Sequence, residues 1–236
     1  MKRFYKVVST MGNKERGYAI QLDGKAVKTP CGNNLLAPNE DIAEAIAQEW
    51  RAQKETIQPD MMPITQIMVT ALDRVSQERE AMTKTLMAYL DTDLICYRVE
   101  TPAELRDKQE AAWDVWLSWF EKNFRYMLEL TYDLKAVEQP EEAHVAVERR
   151  VRAYRDLHFT VLQNLTSLTG SLVLALAFVA GAATSDHILR AIYVEEDHKA
   201  EIYHEDKHGR APLEEKKREA MKRDLEAAHA FINMLS

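Results

Sequence analysis

The segment Leu172 to Ala183, Leu-Val-Leu-Ala-Leu-Ala-Phe-Val-Ala-Gly-Ala-Ala, is apolar on every side of the helix that it predicts. A helix hydrophobic all round has to be buried, so the rest of the chain must wrap it. Its twelve residues fall short of the ~18 to 20 needed to cross a bilayer, and Thr166, Ser167 and Thr169 precede it where a span would need apolar side chains. It therefore predicts a core helix and no membrane insertion. At 236 residues, 46% of them apolar, the chain has ample material for such a core.

The chain around that helix predicts an α+β protein: a small N-terminal antiparallel β-containing domain followed by a larger α-helical domain, with boundaries at 1–60 and 61–236. Phe4 to Ser9 and Gly17 to Leu22 are rich in β-branched and aromatic residues, and Asp23-Gly24 after Leu22 signals a tight hairpin because both positions tolerate positive φ. Asn39, as N-cap with Glu40 and Asp41 behind it, opens a helix to about Lys54 whose apolar stripe is Ile42, Ile46 and Trp50. Trp50 is thus assigned a structural role, and its replacement by alanine is expected to cost ~3 to 5 kcal/mol through cavity formation. Beyond Pro59 and Pro63, Ile64, Ile67, Met68, Ala71, Leu72 and Val75 keep helical spacing, and Met82, Leu86 and Leu90 extend the stripe.

Thr101-Pro102-Ala103-Glu104 reads as a capping box with proline at the first helical position. In the helix that follows, Trp113, Trp116 and Phe120 share one face, as core residues do, with Trp119 on the flank. Tyr126 to Tyr132 reads equally as a short strand or as the tail of that helix. Residues 141 to 164 read as a helix, Ser185-Asp186 as the cap of another that runs to His208, and Leu213 to Leu235 as a last amphipathic helix.

Charge and motifs narrow the function. A formal charge of -7 without a basic stripe argues against sequence-independent nucleic-acid binding, which needs cations to release the counterions of phosphate. Cys31 and Cys96, distant and outside any Cys-x-x-Cys pair, read as buried thiols of a reducing compartment. No phosphate-binding glycine loop and no Gly-x-Ser-x-Gly elbow occurs. His204-Glu205-Asp206-Lys207-His208 matches the zinc pattern His-Glu-x-x-His, which makes a zinc-dependent hydrolase the alternative reading. Its intervening residues are charged, Gly209 ends the helix and no third ligand follows, so neither metal nor cofactor is expected. Glu196 is the most unusual acid, because Ile192, Tyr193, Ala200 and Tyr203 at i-4, i-3, i+4 and i+7 put its carboxylate on an apolar stripe. A buried carboxylate needs a partner, either inside the fold or on another molecule.

Arg3-Phe4-Tyr5-Lys6, Gly17-Tyr18, Leu22-Asp23-Gly24-Lys25, Val27-Lys28-Thr29-Pro30, Glu49-Trp50, Met62-Pro63, Thr70-Ala71-Leu72-Asp73, Asp91-Thr92-Asp93-Leu94-Ile95-Cys96-Tyr97-Arg98 and Gly170-Ser171-Leu172-Val173-Leu174-Ala175-Leu176-Ala177 stand in this order. Together they resemble the assembly chaperone family for the alpha subunit of the F-type ATP synthase, found in mitochondria and alphaproteobacteria. The resemblance runs from residue 3 to about residue 206. It implies an ATP-independent chaperone and no enzyme, one that binds the unassembled alpha subunit and prevents its aggregation until the beta subunit pairs with it. It places Glu196, with Glu195 and Asp197 beside it, at the family's acidic position for partner binding. The chain departs from the family at His198, Tyr203 and His204. Because the chain starts directly at the first block, a bacterial cytoplasmic location is expected, or the mitochondrial matrix if the source is a eukaryote.

Overall fold

The structure, a computed structural model, describes residues 1–203 and 212–235. The described chain divides into two compact units. The first comprises residues up to Arg79, the start of a later helix at Asp156–Val161, and the end of the chain from Glu226; the second holds the remainder.

In the first unit, β1 (Val8–Asn13) and β2 (Gly17–Leu22) pair antiparallel, from Val8 opposite Leu22 to Asn13 opposite Gly17. The other edge of β2 is shared by β3 (Lys25–Ala26) and β4 (Leu36–Ala37). Asp23 and Gly24 form the expected turn with φ of 49° and 80°. β1 starts at Val8 instead of Phe4. The reason lies in Asp23, whose carboxylate accepts the Lys6 and Val7 amides at 3.1 and 2.8 Å and so turns the preceding segment onto the hairpin. Helix α1 (Glu40–Ala52) follows, with Asn39 Oδ1 accepting the Ile42 amide at 2.9 Å, and it buries Ile42, Ala43, Ile46 and Ala47 against the strands.

This unit does not stop near residue 60, because two carboxylates hold later segments to it. Glu49 accepts the Ile64 and Thr65 amides at 2.7 and 2.8 Å and the Thr65 hydroxyl at 2.6 Å, capping the N-terminus of α2 (Pro63–Thr70) from α1. Burial pushes the Glu49 carboxyl up, against those hydrogen bonds. Asp73 lies in a single wide turn, Ala71–Val75, between α2 and α3 (Ser76–Ala88). It accepts from the Thr29 hydroxyl at 2.5 Å, the Asn33 side chain at 2.8 Å and the Cys31 amide at 3.1 Å, closing the loop that leads to β4. Burial alone would raise the Asp73 carboxyl, and these hydrogen bonds outweigh it and hold it below its ordinary range.

The second unit is built on α7 (Leu172–Val179), whose eight residues are all buried. Each large side chain there contributes roughly 1.5 to 3 kcal/mol by leaving water. Helix α7 packs against α4 (Ala103–Phe124), which also contacts α5 (Glu141–Ala153), α8 (Ser185–Ile192) and α9 (Val194–Ile202). On α4, Trp113, Trp116 and Phe120 are core residues and Trp119 is half-buried, as their spacing predicts. The Trp113 indole N–H donates to the Ala191 carbonyl at 2.7 Å. The start of α7 is held by Ser171, which accepts the Leu174 amide at 3.0 Å, and by Asp93, which accepts the Val173 amide at 2.9 Å. Among the described residues no helix is long and apolar enough to cross a membrane.

Several boundaries differ from the sequence reading, each for a local reason. Pro102 occupies the cap of α4 without a side-chain cap bond, so the capping box is not formed. The helix expected over 141–164 is interrupted where Tyr154 is extended, and α6 (Asp156–Thr169) restarts after it. Thr184, one residue before Ser185, caps α8 together with the His187 side chain. Cys96 is buried and desolvation drives its thiol far up, whereas Cys31 is exposed and does not fit the buried-thiol reading. The last helix, α10, spans Pro212–Asn233.

Candidate functional site

The acidic residues singled out by sequence lie on α9, and the structure gives each a different environment. The helix expected over 185–208 breaks at Tyr193, where φ is -106° and ψ is 9°, although neither proline nor glycine marks the spot. The break resets the helical phase. After it, the buried positions are Val194, His198 and Ala200, and Glu196 is exposed. The expectation of a carboxylate on a buried stripe is therefore corrected: the stripe counted from Ile192 and Tyr193 does not continue through α9, and Tyr203 is 72% exposed.

Glu195 and Asp197 are tied into the fold. Gln109, fully buried on α4, donates its side-chain N–H to Glu195 at 2.9 Å and accepts the Val99 amide at 2.9 Å. Asp197 receives both terminal nitrogens of Arg218, from α10, at 2.5 and 3.0 Å, and that guanidinium lies 4.0 Å from the centre of the Tyr193 ring. A bidentate pair of this kind fixes orientation as well as charge. Glu196, between them, has no partner among the described residues.

Two further groups join this corner. His198 is 3% exposed, with Nδ1 3.3 Å from the Lys108 ammonium and Nε2 buried without a hydrogen-bond partner. Lys108 also pairs with Glu201. A cleft of about 360 Å³ opens beside Asp197, lined by Leu189, Arg190, Tyr193, Glu215, Arg218 and Lys222. Sequence reasoning missed Gln109, Lys108 and Arg218, since each comes from a helix far along the chain and no local pattern reports it.

Trp50 is only half-buried. Its ring meets the Tyr5 ring edge-on at 5.6 Å, its carbonyl accepts the Tyr5 hydroxyl at 2.6 Å, and its own indole N–H is buried without a partner. Trp50 thus packs against Tyr5, at less depth than the helical stripe suggests. His204, Glu205 and His208 lie outside the described residues, and among the described residues no group of three or more potential metal ligands occurs.

Comparison with known proteins gives these features a family. A model of the ATP12 chaperone protein matches residues 2–121. The mitochondrial protein atp12 of Schizosaccharomyces pombe is 27% identical over 201 residues, 78% of this chain and 67% of that protein. The crystal structure of Atp12 from Paracoccus denitrificans is similar along 100% of this chain and 98% of that one, at 28% identity and a TM-score of 0.85. A protein from Agrobacterium tumefaciens, described as a candidate chaperone, matches 100% of this chain and 86% of its own at 31% identity and a TM-score of 0.89. The family model and the two whole-chain structural likenesses agree with the ordered sequence blocks, and the chain belongs to the ATP12 chaperone family.

Proposed function

We propose that this protein is an ATP-independent assembly chaperone for the catalytic head of the F-type ATP synthase. It binds the unassembled alpha subunit, keeps it from aggregating until the beta subunit pairs with it, and carries out no catalysis. The whole-chain likeness to Atp12 is the observation that carries this reading. In a bacterial cell the protein works in the cytoplasm, and in a eukaryote in the mitochondrial matrix, as the name of the S. pombe relative suggests.

Within that reading Glu196 is the recognition carboxylate, and Glu195 and Asp197 complete its acidic surface. The support is electrostatic: Glu195 and Asp197 are held by Gln109 and Arg218, while Glu196 stands exposed between them with no partner among the described residues. Binding free energy from Glu196 is thus available to a cationic group of the client. Glu196→Lys is expected to leave the melting temperature within a degree or two and to weaken protection of the alpha subunit at least tenfold, with Glu196→Gln weakening it less. Light scattering of diluted alpha subunit, without ATP, measures that protection. A strongly lowered melting point for Glu196→Lys, or full protection by it, would defeat the recognition role.

A further inference from the structure

The segment Tyr126 to Leu134 carries an unassigned feature. Helix α4 ends where Arg125 turns left-handed, with φ of 71°, and the chain then leaves the helix, reaches Thr131, and bends over residues 132–135, where the Asp133 amide donates to the Thr131 hydroxyl at 3.0 Å. From Leu128 its apolar residues alternate with polar ones: Leu128, Leu130 and Tyr132 against Glu129 and Thr131. That is the pattern of a strand with one side in a core. Here Leu128 is half-buried, while Leu130 is 42% exposed and Tyr132 57%.

The backbone explains what the segment is prepared for. Thr131 pairs in parallel with Tyr97, its N–H donating to the Cys96 carbonyl at 2.9 Å and its carbonyl accepting the Arg98 amide at 2.8 Å. Glu129 uses the same edge, because the buried Gln139 side chain accepts its N–H at 2.8 Å and donates to its carbonyl at 3.0 Å, as a neighbouring strand would. Glu129 and Thr131 are thus satisfied on the inner edge. The Leu130 N–H and C=O and the Tyr132 N–H share planar peptide units with the Glu129 C=O, the Thr131 N–H and the Thr131 C=O that bond inward, so they point to the opposite edge, and neither residue makes a backbone hydrogen bond among the described residues. An open edge of this kind is a template for another strand.

We propose that residues 128 to 132 are a strand-addition site, which takes an extended segment of a client protein that is apolar at alternate positions and bears basic residues. Backbone pairing at Leu130 and Tyr132 supplies affinity, and the exposed apolar side chains select the segment. Charge selects the basic client. Between Arg125, which closes the helix, and Pro140, the chain holds Glu129, Asp133 and Glu138 against Lys135 alone. The Arg106 guanidinium is already paired with Asp107 and Glu110. A second copy of this chain would bring like charges together. The site also has a physical link to the acidic corner, since Gln109 bonds both Val99, next to the Cys96 and Arg98 backbone groups that hold Thr131, and Glu195. The inference rests on the chaperone reading and names a surface for it.

Leu130→Pro deletes one outward N–H and leaves the inner hydrogen bonds of Glu129 and Thr131 in place, while Tyr132→Asp charges the apolar side. Both positions are exposed, and a melting curve for each variant checks the fold. The probes are the purified, unassembled alpha subunit and a synthetic peptide of alternating valine and lysine. For the wild type, residue-resolved amide exchange is expected to show new protection at Leu130 and Tyr132 with either probe, and each variant is expected to bind at least tenfold more weakly. Variants that melt normally and bind the alpha subunit as the wild type does overturn the site and leave the chaperone reading standing. Protection by the peptide with no binding of the alpha subunit supports the site and overturns that reading. A concentration-dependent dimer abolished by Leu130→Pro makes a second copy the occupant and overturns the proposal, as does the absence of protection with both probes.

Discussion

Replacing Asp93 tests how the core helix is held. The Asp93 carboxylate is fully buried; it accepts the Val173 amide at 2.9 Å and the Ile95 amide at 3.3 Å, with further hydrogen bonds from the Ser171 hydroxyl and the Leu172 amide. Asp93→Ala would strand these donors at the start of α7. At ~1 to 3 kcal/mol for each buried donor left unpaired, and with the Ser171 hydroxyl free to turn elsewhere, the expected loss is about 3 to 6 kcal/mol. That is a large part of a typical stability of ~5 to 15 kcal/mol. Asp93→Asn keeps the shape and one accepting oxygen, and is expected to lose about half as much.

The pH dependence makes the test sharper. Desolvation raises the Asp93 carboxyl from its ordinary 3.8 to about 6, against the hydrogen bonds that favour the ion. A carboxyl raised in the folded state stabilises fully below its unfolded pKa, and the contribution is lost as pH rises through the folded value. The shift is worth about 3 kcal/mol at most, and roughly 2 kcal/mol of it is present at about pH 4.5 and nearly none at about pH 7.5. Urea unfolding of wild type and Asp93→Asn at those two pH values should therefore show a gap larger by roughly 2 kcal/mol in acid. A gap that is unchanged, or larger at about pH 7.5, would mean that the helix N-terminus prefers the ion strongly enough to cancel desolvation, and would refute the reasoning.

Asp73→Ala removes the acceptor shared by Thr29, Cys31 and Asn33 and is expected to cost about 2 to 4 kcal/mol in urea unfolding. Because the folded carboxyl is held low, the wild-type advantage should persist above the ordinary aspartate range and fade as pH falls below it. The same variant should make Cys31 react faster with iodoacetamide at mildly alkaline pH, since hydrogen bonding to Asp73 and its charge push that exposed thiol up. Trp50→Ala is expected to cost about 2 to 3 kcal/mol, less than for a fully buried ring, and Tyr5→Phe about 1 kcal/mol through the lost bond to the Trp50 carbonyl. An unchanged denaturation midpoint for Trp50→Ala would remove its structural role.

What the sequence determined by itself was whatever local periodicity and turn chemistry dictate. Residues 172 to 179 are helical and buried because no face of them is polar. Asp23-Gly24 makes the hairpin because both residues accept positive φ, and Asn39 starts α1 because its side chain can reach the Ile42 amide. The ordered blocks carried the family as well, but the blocks alone did not say what their acids do. Only the tertiary structure decided that Glu49, Asp73 and Asp93 are braces, each accepting amides from a segment 10 or more residues away, as with the 80 residues between Asp93 and Val173. It likewise decided the fate of Glu196. Its position on an apolar stripe assumed one unbroken helix, and the break at Tyr193 turns it to solvent while Arg218 and Gln109 engage its neighbours. Such outcomes depend on which distant side chain arrives to satisfy a backbone or a charge, and a pattern read a few residues at a time carries no record of that arrival.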